Sequence, residues 1–211
     1  MTLPGRDRLA VLVHEVRSPA AALAAIAEFS KNRRLEASAR LRLVELAVAA
    51  CRGIERLILD AAHASVRPEE VNIWRIVDEA VAAAALGGAD VRAEIDAGIP
   101  VLQVDPLRLR QALDNLVANA LRHGGSAGKV VVRARPTETA VLLSVIDQGP
   151  GIPFGDQERI FEAGVRLNPE RPGSGLGLVV ARSIVEAHGG ALTVESFPDQ
   201  GATFTIALPV S

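Results

Sequence analysis

The sequence has one cysteine, one tryptophan and no tyrosine in 211 residues. A single thiol, Cys51, excludes an internal disulfide and any cysteine-rich metal site. It sits in an apolar helical pattern and reads as a small buried side chain. Aromatic residues make up only 3%, too few for a platform on which nucleic-acid bases stack. The formal net charge of −2 gives no electrostatic case for nucleic acid or an anionic membrane. The longest stretch free of Asp, Glu, Lys and Arg runs from Gln200 to Ser211, too short and too polar to span a bilayer. No basic stretch followed by an apolar one opens the chain, so no signal peptide is expected and a cytoplasmic location is. There is no internal repeat or low-complexity tract. What remains, 49% hydrophobic and 23% charged, is ordinary globular composition with room for one large domain or two small ones.

Two parts of the chain carry different periods. Residues 6–65 read as two helices. The first has Leu9, Leu12, Val16, Pro19, Leu23 and Ile26 in steps of three and four, the seam of a helix packed in a bundle. Polar Lys31, Asn32, Arg33 and Arg34 break it. The second repeats the spacing at Leu43, Ala47, Ala50, Ile54, Leu57 and Ala61. A lone hairpin of this length cannot bury its stripe, so two copies forming a four-helix bundle, hence a homodimer, are expected. The competing arrangement is a hairpin packed on the rest of its own chain. Val66 to Glu70 reads as a linker, because Pro68 stops the helix.

Beyond the linker, helices alternate with strands. Helices are predicted over 74–86, 106–122 and 175–188, and strands over 91–95, 101–104, 129–135, 140–146, 191–196 and 202–208. Residues 153–174 hold Pro153, Pro169 and Pro172 and lack sustained periodicity. Successive paired strands point to an α+β fold, an α/β sandwich with a mixed sheet. The predicted domains are therefore 1–67 and 68–211.

Four motifs carry chemistry. His14 falls opposite the helical seam beside Glu15, and a neutral imidazole there is a nucleophile near pH 7. Pro19 kinks the same helix, which a bundle does not need for stability. On the helix from Pro106, Asn115 and Asn119 lie i, i+4 away from the apolar face, with Arg122 and His123 a turn further. Two amides and two basic groups in a row suit a phosphate chain and its metal, although a solvated polar face would look the same. A strand then runs into Asp147-Gln148-Gly149-Pro150-Gly151-Ile152. A carboxylate there accepts hydrogen bonds, opposite an adenine it would accept from the exocyclic amine, and the glycines let a ring approach the backbone. Last, Gly173-Ser174-Gly175-Leu176-Gly177-Leu178 opens a helix, offering N–H groups to phosphates. No strand precedes this loop and it has no Walker A lysine, so the Rossmann and P-loop readings fail.

The run His14-Glu15-Val16-Arg17-Ser18-Pro19 resembles the H-box of bacterial sensor histidine kinases. The order and spacing of all four motifs resemble their dimerisation and ATP-binding modules over about residues 6–208. The nucleotide-binding part is similar to the Bergerat-type fold shared with gyrase, chaperone and mismatch-repair ATPases. The resemblance implies that His14 is the phosphoacceptor and Glu15 its base. It implies that Asn119 binds Mg²⁺, that Asn115 lies beside the triphosphate and that Arg122 or His123 contacts phosphates. Asp147 would hold adenine, with Gly149, Gly151 and Ile152 at the base. Residues 153–174 would form an ATP lid carrying Phe161 of the F-box. Gly173, Ser174, Gly175, Leu176, Gly177 and Leu178 would cradle phosphates.

The sequence also departs from the family pattern. Ser18 replaces the Thr or Asn that often supports phosphatase activity. Gly164 and Val165 stand where a second F-box aromatic is usual. Ala202 replaces a Thr near adenine, a role Thr203 would take over. The implied function is an ATP-dependent protein-histidine kinase that phosphorylates His14 in a dimer and passes the group to a response regulator receiver domain. The competing function is a histidine phosphotransfer or docking protein that has lost ATP.

Overall fold

The computed structural model describes residues 66–124, 129–162, 164–167 and 175–210. They belong to the second of two compact units, Ala62–Ser211. The expected hairpin over 6–65 with its four-helix bundle, and the candidate residues His14, Glu15, Gly173 and Ser174, lie outside the described residues.

Alternating apolar and polar residues build the sheet. Strands β2 (Val91–Ile95), β4 (Val130–Pro136), β5 (Ala140–Ile146), β6 (Ala191–Ser196) and β7 (Ala202–Pro209) lie in the order β2-β4-β5-β7-β6. β2 pairs parallel with β4, and the other three pairings are antiparallel, so the sheet is mixed as expected. One face is buried: Val132 and Ala134, Val141, Leu143 and Val145, then Phe204 and Ile206 have no solvent exposure. The opposite face carries partly exposed residues such as Ser144 and Thr205, whose hydroxyls bond at 2.9 Å.

Three helices pack against this sheet: α1 (Ile73–Leu86), α2 (Pro106–His123) and α3 (Gly177–Ala187). In α2, the spacing Leu109, Ala112, Leu113, Leu116, Val117, Ala120 produces one continuous buried stripe. Its start follows from Asp105 and Pro106. Proline at the first helical position has no N–H to leave unpaired, and the Asp105 carboxylate accepts from Arg108 N at 3.0 Å. Two single 3-10 turns, Phe154–Asp156 and Arg159–Phe161, follow β5, where no long period was expected.

One expectation needs correction. Glu69 and Glu70 were read as linker but belong to strand β1 (Glu69–Val71), which pairs antiparallel with β3 (Leu102–Val104) in a separate two-stranded ribbon. Three residues, two of them exposed glutamates, are too few to show an alternation.

Asp105 also ties the entry of the domain to α2, since its other carboxylate oxygen accepts from Arg67 N at 2.9 Å. Burial works to raise its pKa, but N–H donors from Arg67, Arg108 and Leu107, and nearby His188, outweigh it and hold the carboxyl below the usual value of 3.8. Asp105→Ala is expected to cost about 1–2 kcal/mol, read as a lower urea midpoint at pH 7. A depressed carboxylate stabilises the fold above its unfolded pKa and loses that effect as pH falls through the folded value. The gap between parent and variant should therefore narrow below about pH 4.

Candidate functional site

A cavity of about 360 Å³ opens between α2, the end of β5 and the start of α3. The side of α2 facing it is a second helical stripe, Asn115, Ala118, Asn119, Arg122 and His123, rotated away from the core stripe. The nine residues from Asn115 to His123 span about 12 Å of helix. At one end Asn115 adjoins Gly177, where an added Cβ would come 3.9 Å from the Asn115 side chain. Gly175 and Leu178 line the cavity with them. Leu176 is the N-cap of α3, its backbone O accepts from Val180 N as the helix begins, and it is absent from the lining.

The other end is built around Asp147, which is 5% exposed. β5 delivers it and β7 fixes it: Asp147 N donates to Ala202 O at 2.9 Å, and Ala202 N donates back to Asp147 Oδ1 at 3.3 Å. Gly149 N donates to the same oxygen at 2.8 Å. Burial pushes the Asp147 carboxyl above its usual pKa, and the two N–H donors and the His123 charge only partly offset it. Desolvating a carboxylate is unfavourable for the fold, so its place at the lip of a cavity suits a ligand that donates to it.

Most of the sequence-derived candidates meet here. Asn115, Asn119, Arg122, His123, Asp147, Gly151, Ile152, Gly175, Gly177 and Leu178 all line the cavity. Gly149 stands just behind, where a Cβ would meet the Asp147 carboxylate and the Gly124 backbone. Of Arg122 and His123, either of which is expected at the phosphates, His123 has its carbonyl beside Gly149 and its charge acts on Asp147. Thr203 is a correction. Ala202 and Phe204 line the cavity, and strand alternation turns Thr203 to the opposite face of the sheet. Phe161 stands apart from the lining. It does not line the cavity but supports it from behind, edge-on to Phe204 with centroids 6.4 Å apart, under an Arg182 guanidinium 5.3 Å from its ring.

The sequence reading missed Phe204, Gly201 and Ser196. Phe204 is fully buried and lines the cavity. Gly201 has φ of 78°, and a Cβ there would overlap the Asp147 carbonyl oxygen. The available signal was the Gly201-Ala202 pair, small residues opening a strand next to an otherwise apolar alternation.

Among the described residues no group of three His, Cys, Asp or Glu side chains could hold a metal. The amide oxygens of Asn115 and Asn119 still suit Mg²⁺, which takes few protein ligands when phosphates and water supply the rest.

Residues 104–211 match the family described as histidine kinase-, DNA gyrase B-, and HSP90-like ATPase. The alginate biosynthesis sensor protein KinB of Pseudomonas aeruginosa is 44% identical over 117 residues, 56% of this chain and 20% of KinB. The sensor protein DivL of Caulobacter vibrioides is 32% identical over 97% of this chain and 28% of DivL. The adaptive-response sensory kinase SasA of Synechococcus sp. (strain JA-3-3Ab) is 32% identical over 97% of this chain and 59% of SasA. The chain thus spans less than two thirds of each of these relatives. Among solved structures, full-length ShkA in complex with AMPPNP is similar with a TM-score of 0.68 and 27% identity, over 97% of this chain and 46% of ShkA. The mycobacterial sensor histidine kinase MprB has a TM-score of 0.59 and 30% identity, over 67% of this chain and 97% of that one.

Proposed function

Because the chain belongs to the histidine kinase-, DNA gyrase B-, and HSP90-like ATPase family, and within it resembles the sensor histidine kinases throughout, we propose that it is an ATP-dependent protein-histidine kinase of a two-component system. The observation that carries the reading is the polarity of one cavity. A buried, ligand-seeking carboxylate stands at one end, and amides with a glycine-lined helix start stand at the other. ATP has matching ends, an amine-bearing base and a chain of phosphates.

Asp147 would accept from the adenine amine, with Gly151 and Ile152 against the ring. Asn115, Asn119 and Arg122 would hold the phosphates beside Gly175 and Gly177. Mg²⁺, held by Asn119, would neutralise phosphate charge in the transfer. An amide at position 115 cannot take a proton from water, which favours transfer to a protein nucleophile over hydrolysis. His14 would attack the γ-phosphorus, Glu15 would take its proton, and ADP would leave. The phosphoryl group would then pass to an aspartate of a response regulator. This reading includes domains 1–67 and 68–211, a homodimer through residues 6–65 and a cytoplasmic setting where ATP and the regulator meet.

The test is phosphorylation of the full chain with γ-labelled ATP and Mg²⁺. Acid-labile, base-stable label is expected on the parent and none on His14→Ala. Asn119→Ala should lower the rate about 100-fold. Label that survives in His14→Ala would refute the assignment. A parent that takes no label from ATP but accepts it from a phosphorylated regulator would instead be a phosphotransfer protein.

A further inference from the structure

Ile152 is held at both of its backbone polar groups by residues outside the four motifs. Its N–H donates to Ser196 Oγ at 2.8 Å. Its carbonyl accepts from Gln157 Nε2 at 3.1 Å. The same Nε2 donates to Ser196 O at 2.7 Å. Both partners of that amide nitrogen are carbonyl oxygens, which only accept, so the amide must present its NH2 group here. Ser196 Oγ in turn donates to Gly201 O at 2.6 Å. Ser196 is buried, at 6% exposure, at the end of β6.

These bonds join pieces that are distant in sequence. Gln157 follows the first 3-10 turn, Ser196 ends β6, and Gly201 immediately precedes β7. Ile152 lines the cavity, and Gly201 lies against the backbone of Asp147. One hydroxyl and one amide thus fix the distance between the Ile152 side of the cavity and the carboxylate at its lip. Neither side chain lines the cavity itself.

We propose that Gln157 and Ser196 are positioning residues that set the width of the base-binding end of the cavity, and through it the preference for adenine over guanine. This rests on the reading of the cavity as an ATP site. Discrimination between the two purines needs the Asp147 carboxylate aligned with the edge of the ring. A ring free to shift toward a loosened Ile152 loses that alignment, and a 6-oxo base is then penalised less.

The experiment is calorimetric titration of the full chain with ATP and with GTP, alongside hydrogen exchange at the Ile152 amide without nucleotide. Ser196→Ala and Gln157→Leu should each weaken ATP binding about tenfold and GTP binding by less, so that the ATP-to-GTP ratio falls. Ile152 should exchange faster in Ser196→Ala. Ser196→Thr, which keeps the hydroxyl, should restore both the ratio and the protection. A lower unfolding temperature with an unchanged ratio would make the pair merely structural and overturn the proposal. A parent that binds no ATP would overturn the ATP reading instead, while Ile152 exchange would still judge the clamp: unchanged exchange in Ser196→Ala refutes it.

Discussion

Asp147→Asn should lower ATP affinity about 100-fold, or ~3 kcal/mol, without lowering the stability of the unliganded protein. The two effects separate because the two carboxylate oxygens have different duties. Oδ1 receives the N–H groups of Gly149 and Ala202, and the amide oxygen of asparagine keeps both. The second oxygen becomes an NH2 group. Set against the amine of adenine it places donor against donor, and two buried polar groups go unpaired. Against a 6-oxo purine the same NH2 group finds an acceptor, so GTP should bind the variant at least as well as it binds the parent.

The stability half follows from the sign of the pKa shift. Burial raises the Asp147 carboxyl above 3.8, so its ionised form disfavours the fold. A raised value means that the stabilising contribution is fully present below the unfolded pKa and is lost as pH rises through the folded one. A neutral amide removes that loss, and the unfolding temperature of Asp147→Asn at pH 7 should match or exceed that of the parent. Near pH 3, where the parent carboxyl is protonated as well, the two should converge. Calorimetric titration with both nucleotides and thermal unfolding across pH check this. An asparagine variant that binds ATP within threefold of the parent would remove Asp147 from the base site.

Sequence made α2 legible because two periods coexist on one helix. Leu109, Leu113 and Leu116 announce a core face, and Asn115, Asn119 and His123 announce a polar stripe beside it. Asp147 was legible because an alternating strand stops at an Asp-Gly turn. Ser196, Gln157 and Gly201 were not. The Ile152 bond to Ser196, the Gln157 bond to Ser196 and the Ala202 bond to Asp147 span 44, 39 and 55 residues, and hydrophobic periodicity gives no warning of such pairings. Thr203 failed for a related reason. A threonine one residue from the expected position looks equivalent in a sequence, but on a strand that single step moves the side chain to the other face. Phe161 was found by motif as part of the ATP lid, and its ring packs edge-on against Phe204. Residue type identified that position, and only packing defined its contact.

A large structural effect is expected at Gly201, a residue no motif marked. With φ of 78° it occupies the left-handed region, where a non-glycine residue costs about 1–2 kcal/mol. Gly88, with φ of 83° and nothing within 4 Å of an added Cβ, isolates that backbone cost. At Gly201 the Cβ would also overlap the Asp147 carbonyl oxygen and sit 3.0 Å from Gln148 Cα. Both are backbone, so no side chain can turn aside. Relief requires β7 to draw away from the end of β5, which breaks the paired bonds between Asp147 and Ala202 and strains the Ser196 bond to Gly201 O. Gly88→Ala should therefore cost about 1 kcal/mol and leave ATP affinity unchanged, while Gly201→Ala should cost about 3–5 kcal/mol and weaken ATP binding more than tenfold. Urea unfolding and nucleotide titration of the two variants side by side give the comparison. Equal losses in both would mean that only the left-handed backbone matters and that β7 does not hold Asp147 in place.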